Sequence, residues 1–86
     1  MNLNEMIQGA SKTNNIIIGY KESRKFIKLN DAKAVVVAKN TPEKMRKEIE
    51  HNAGIAGVRL EVFEGTSKEL GVICGRPYPV TVLVVK

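Results

Sequence analysis

Four short apolar runs alternate with four stretches of helical periodicity along this chain, and that alternation restricts its possible folds more than any other feature. The runs are Ile16–Ile18, Ala34–Ala38 and residues 58–62 and 80–85. Ala34–Ala38 is unbroken and 80–85 is interrupted only by Thr81, as expected of strands covered on both faces. Residues 58–62 alternate apolar with charged, the pattern of a strand with two unlike faces. Helix then strand, four times over, predicts a sheet sandwiched between helices with mostly parallel pairing. The short link from the fourth helix leaves the direction of the last strand open.

The helical stretches supply the covering layers. Leu3, Met6, Ile7 and Ala10 form one stripe in residues 3–11, with Asn2 and Glu5 spaced as a capping pair, and Asn14-Asn15 ends it. In residues 20–30, Ser23, Phe26, Ile27 and Asn30 share an inward face, opposite Lys21, Arg24, Lys25 and Lys28. A third helix is predicted to be capped by Thr41, to carry Pro42 in its first turn and to bury Met45, Ile49 and Ala53, ending at Gly54 and Gly57. Thr66 and Glu69 make a capping box for a fourth, with Leu70, Ile73 and Cys74 inward and Gly75 at its C-terminus. Pro77 and Pro79 hold the next loop extended.

Eighty-six residues without repeat, linker or low-complexity tract predict one domain, 1–86. No apolar stretch is long enough to span a bilayer, and no secretory signal is expected at the N-terminus. One cysteine and one histidine leave no disulfide and no plausible zinc set, so the reading is an intracellular chain with no metal, cofactor or small-molecule substrate. The net charge of +5 and pI near 9.6 incline it toward polyanions, and the excess is local. Residues 21–33 hold five basic and two acidic groups, whereas residues 1–20 balance at zero.

Two segments, each at a strand-to-helix transition, concentrate the candidate chemistry: Gly19-Tyr20-Lys21-Glu22-Ser23-Arg24-Lys25 and Phe63-Glu64-Gly65-Thr66-Ser67-Lys68-Glu69-Leu70-Gly71. The basic stripe Lys21, Arg24, Lys25, Lys28 reads either as a solvated helix face or as a phosphate anchor. Lys21 lies in a first helical turn, against the dipole's preference for acids, which favours an incoming anion. Glu22 reads either as an ordinary N-terminal acid or as an acceptor for base amino and imino groups. Gly65 either permits a tight turn or lets an extruded base approach the backbone beside Phe63, Glu64, Thr66 and Ser67. Enzyme signals are weak. Gly65-Thr66-Ser67-Lys68 lacks phosphate-loop spacing, His51 belongs to a polar helix face, Cys74 has core spacing, and no carboxylate pair suggests acid/base work.

Both segments, together with Val36-Val37-Ala38-Lys39-Asn40-Thr41-Pro42 and Gly75-Arg76-Pro77-Tyr78, resemble the ribosomal protein L-thirty-e family, within the kink-turn-binding L-seven-Ae superfamily. The resemblance covers nearly the whole chain. It implies a three-layer α/β/α sandwich with a four-stranded mixed β-sheet, the last strand antiparallel to a neighbour. It also implies a non-enzymatic protein that binds a kink-turn or related internal loop of RNA, in ribosomal RNA of the large subunit, and is therefore cytoplasmic. The family's Gly-x-Asn-Glu-x-x-Lys/Arg pattern falls on Gly19, Lys21, Glu22 and Lys25. Glu22 would contact a guanine edge, Lys25 bases or phosphates, Gly19 would shape the loop, and residues 63–67 would receive the extruded nucleotide.

Lys21 departs from the pattern, standing where many members have asparagine. Lysine only donates, so one contact must shift to a guanine O6/N7 edge or a phosphate. That departure keeps a non-ribosomal kink-turn-binding paralogue in view. A protein-interaction adaptor using Met45, Arg46 and Lys47 or the 77–79 loop is the alternative from another class, and a small enzyme relying on His51 or Cys74 is a third.

Overall fold

The computed structural model describes residues 3–29 and 32–86. The elements follow the expected order: α1 (Leu3–Lys12), β1 (Ile16–Ile18), α2 (Tyr20–Leu29), β2 (Ala34–Ala38), α3 (Glu43–Ala56), β3 (Arg59–Phe63), α4 (Ser67–Ile73) and β4 (Val82–Val85). Asn2 and Asn30, expected at a cap and on an inward face, lie outside the described residues. Asn14, with φ 61°, takes the left-handed turn that separates α1 from β1.

The strands form one sheet in the order β1-β4-β2-β3. Alternate residues of each strand feed two cores. Val36, Ala38, Leu83 and Val85 pack with Ile7 of α1, with Leu70 of α4 and with Cys74 at its C-cap. Val35, Val37, Val82 and Val84 pack with Ile27 of α2 and Ile49 of α3. The result is a three-layer α/β/α sandwich whose central strands β2 and β4 are buried at every position.

Pairing departs from the mostly parallel sheet that the alternation alone predicts and is the mixed sheet, with the last strand antiparallel, that the family resemblance implies. Only β2 and β3 are parallel, while β4 runs antiparallel to both β1 and β2. The cause lies in the return from α4. Gly75, at φ 73°, turns the chain back, and the Arg76 amide donates to the Gly71 carbonyl. The following segment then climbs beside α4 until the Val80 amide donates to the carbonyl of Ser67, where that helix begins. β4 therefore starts at the end of the sheet where β1, β2 and β3 finish.

Several local boundaries also move, β4 beginning at Val82 rather than at residue 80. Thr41 does not cap α3. Pro42 is the N-cap, with ψ 138°, and its carbonyl accepts the first helical bond from Arg46. The Thr41 hydroxyl instead sits buried, 2.7 Å from the Ala38 carbonyl and 3.1 Å from that of Thr81. β3 begins one residue later than expected, because the Val58 amide is used to close α3 on the Ala53 carbonyl. Gly57 alone supplies the left-handed C-cap, while Gly54 remains within the helix.

Gly71 is the tight point of the return: a Cβ there would collide with the backbone carbonyl of Tyr78. Backbone cannot swing aside as a side-chain tip can. Gly71→Ala should therefore lower stability by about 1–3 kcal/mol, as overpacking does, measured by urea unfolding.

Candidate nucleic-acid interface

Because β1, β2 and β3 run in one direction, the first turns of α2, α3 and α4 all emerge at the same edge of the sheet. The start of β4 joins them. The Gly19 amide donates to the Val82 carbonyl at 3.0 Å, and the Ala38 amide to that of Thr81 at 2.8 Å. The two candidate segments follow β1 and β3, the outer strands, so roughly three strand spacings, about 14 Å, separate them. The loop after β2 lies between.

In the first segment Gly19 has φ 113°, a conformation that suits glycine. Its carbonyl accepts from the Ser23 amide at 3.0 Å, which starts α2. A Cβ on Gly19 would lie 2.7 Å from Glu22 Oε2, so the carboxylate folds over the bare Cα. Lys21, Glu22, Lys25 and Lys28 are exposed, and among the described residues none of the four is held by an ion pair within the chain. Arg24 differs. Its guanidinium lies 5.3 Å from the Tyr20 ring centroid and 3.7 Å from Glu48, so it is drawn toward α3. The segment thus presents a carboxylate and three lysines that have no ion pair among the described residues.

The second segment is built around Gly65. A Cβ there would lie 2.6 Å from Phe63 Cε2 and 2.8 Å from Glu69 Oε2. Phe63 is 6% exposed and supports the loop from the core side, while Glu64 and Thr66 face solvent. The expected capping box is present: the Glu69 amide donates to Thr66 Oγ1 at 3.3 Å, and the Thr66 amide to Glu69 Oε1 at 3.4 Å. Beside it opens a cleft of about 460 Å³ lined by Leu3, Asn4, Phe63, Glu64, Gly65 and Glu69. Its far wall comes from α1, which sequence spacing had no means of placing there.

Asn40 is the residue the sequence reading passed over. Its Oδ1 accepts from the Ser67 amide at 2.8 Å and its Nδ2 lies 3.4 Å from Ser67 Oγ. The neighbouring Lys39 amide donates to the Gly65 carbonyl at 3.0 Å. The middle loop thus fastens the glycine loop to the sheet. An asparagine directly after a buried strand and before a proline was the available signal.

The enzymatic candidates stay apart from this edge's loops. His51 is exposed on α3, beside Arg24, Lys28, Glu48 and Asn52. Cys74 is buried; desolvation raises its thiol pKa, and Arg76 lowers it to a smaller degree. Among the described residues no cluster of three or more side chains could hold a metal, and no helix is long and apolar enough to cross a membrane.

Residues 1–86 match the model of the Ribosomal protein L7Ae/L30e/S12e/Gadd45 family. The chain belongs to that family. It is 36% identical over 85 residues to the large ribosomal subunit protein eL30 of Aeropyrum pernix, covering 99% of this chain and 85% of the relative. With the protein of the same name from Methanothermobacter thermautotrophicus it shares 37% over 86 residues, covering 100% and 88%. Among solved structures, a Bacillus halodurans protein of unknown function superimposes with a TM-score of 0.88 at 16% identity, covering 96% of this chain and 82% of that one. The Giardia lamblia 15.5kD RNA binding protein does so with a TM-score of 0.83 at 19% identity, covering 96% and 69%. These two likenesses establish a shared fold.

Two measurements follow from the geometry. Asn40→Ala should leave the fold intact but raise amide exchange at Ser67, with a loss of about 1 kcal/mol typical of a removed cap, read by hydrogen-exchange NMR. Cys74 should react with a thiol reagent at least about tenfold more slowly in the native than in the unfolded chain. Since its folded pKa is raised, the stability linked to the neutral thiol is complete below the ordinary thiol range and is lost as pH rises through the folded value. Cys74→Ala should make the alkaline decline of the melting temperature shallower.

Proposed function

We propose that this protein is an RNA-binding component of the large ribosomal subunit, acting as a single unit over residues 1–86 and seated on a kink-turn or related internal loop of ribosomal RNA in the cytoplasm. The observation that carries the reading is Glu22, a carboxylate with no ion pair among the described residues, held over Gly19 between Lys21 and Lys25. Phosphate repels a carboxylate, so one kept at the centre of a cationic surface has a use if it accepts from base edges. The names of the archaeal relatives support the ribosomal assignment.

Roles divide by chemistry. Glu22 reads a guanine edge, and Lys25 and Lys28 neutralise phosphates. Lys21 donates to a guanine O6/N7 edge or a phosphate. Gly19 brings the RNA close to the backbone at the start of α2. The loop of Phe63, Glu64, Gly65, Thr66 and Ser67 takes the displaced nucleotide into the cleft bounded by Leu3 and Asn4, and Arg24 contributes charge from beside α3. No step of bond making or breaking is involved, and no cofactor is needed.

Fluorescence anisotropy with a kink-turn RNA and an uninterrupted duplex of equal length tests the reading. The kinked RNA should bind about tenfold or more tightly, and Glu22→Ala should cost about 1–3 kcal/mol on it, the worth of a good base contact. The plain duplex should be nearly unaffected by that change. Equal affinity for the two RNAs in the unaltered protein would end the proposal.

A further inference from the structure

Helices α2 and α3 flank an open groove lined by polar side chains, away from the loops. Its volume is about 220 Å³, and it is lined by Arg24 and Lys28 from α2 and by Glu48, His51 and Asn52 from α3. Since β1 and β2 run in the same direction, the two helices descend together from the loop edge, and Arg24 meets Glu48 across the gap.

The charge on the two walls is unequal. α2 carries four cations against the single Glu22, whereas α3 carries three of each sign. On α3 the charges are largely spent internally, Lys47 with Glu43 and Arg46 with Glu50. Inside the groove Glu48 is occupied by Arg24 at 3.7 Å. What remains for a ligand is the Lys28 ammonium, the His51 ring N–H and the Asn52 amide, three donors around a space that also receives the Arg24 fork. Among the described residues no unengaged carboxylate lines it, so the groove suits an anion.

The groove also has a direction. Lys21, Lys25 and Lys28 are exposed along α2 at positions i, i+4 and i+7, a line of about 10 Å that leads from the loop edge to the groove. An isolated small anion needs no such approach, but a continuous polyphosphate does. We infer that the α2–α3 groove is a second RNA contact, which takes the phosphate backbone of the duplex stem leaving the loop-bound element, with His51 and Asn52 as its α3 contacts. The inference rests on the RNA-binding reading and extends it to a part of the RNA that the loops do not touch. Glu48 then limits unspecific affinity, because it holds Arg24 aside and sets a negative charge at the groove wall.

The test uses the full chain and one kink-turn RNA whose two flanking stems are shortened in turn, with anisotropy titrations at several salt concentrations. Trimming one particular stem should weaken binding about fivefold, and Lys28→Ala combined with His51→Ala should abolish that difference and make the salt slope shallower by about one. Both side chains are exposed, and unchanged thermal melting will verify that the variant is folded. Glu48→Gln should tighten the full-stem complex about threefold while leaving the trimmed one unchanged.

Preference for kinked over plain RNA, and its loss in Glu22→Ala, should survive in His51→Ala alone, whose exposed α3 side chain has no part in the loop site. If that preference is missing but stem length still matters through Lys28 and His51, the loop reading fails and the groove stands. Should trimming cost nothing, or the double variant still distinguish full from trimmed RNA, the groove proposal is overturned. Groove-dependent binding of poly-glutamate without any effect of stem length would assign the surface to an acidic protein segment and overturn it equally.

Discussion

The structure depends on a backbone contact that only glycine permits. At Gly71 the carbonyl of Tyr78 lies where a side chain would otherwise begin, so the chain leaving α4 can lie flat against that helix and return to its start. That return delivers β4 to the sheet in the antiparallel sense, between β1 and β2. β1 has no other partner in the sheet. The segment bearing Glu22 is therefore joined to the loops after β2 and β3 by way of β4, through the Gly19–Val82 and Ala38–Thr81 hydrogen bonds. A packing constraint on one face of the molecule fixes the spacing of charged groups at its edge.

Both loops at the edge repeat one device with different outcomes. Each has a glycine whose missing Cβ leaves room for a carboxylate from the helix that follows, Glu22 over Gly19 and Glu69 over Gly65. The helix dipole favours an acid in either place. Glu69 is consumed by its capping box with Thr66, and its contribution is to local stability. Glu22 has no such duty: among the described residues it makes no side-chain hydrogen bond or ion pair. One carboxylate builds a loop, and its counterpart is left available to a ligand.

Much of this could be read from the residues. The four helices and four strands follow from periodicity, and the stripes Ile7/Ala10, Ser23/Ile27 and Ile49/Ala53 are buried as their spacing requires. The capping box was legible because its partners are three residues apart. Illegible features depended on residues distant in sequence. The direction of β4 came only from the family resemblance and was hidden from periodicity, because a short link after α4 can lead either way and a contact between Gly71 and Tyr78 has no periodicity. Thr41 looked like a cap by type, but Pro42 adopted the cap conformation and Thr41 turned inward to Thr81. The role of Asn40 was missed for the same reason, its partner Ser67 being the first residue of α4. Both halves of the candidate interface were visible in sequence; the fastening between them and the α1 wall of the cleft were not.

The pairing of β1 with β4 bears on how the protein is made. Ile16 is matched with Val85 and Ile18 with Leu83, so almost the entire chain lies between the partners of this ladder. Closing so large a loop is among the slower and more entropically demanding steps of folding. During synthesis the first helix and the Glu22 segment appear early, but they have no sheet to join until residues 82–85 have been added. The candidate edge is consequently one of the last features to assemble, and a chain interrupted before β4 would carry the basic helix without the hydrogen bonds that hold it in register with the other loops.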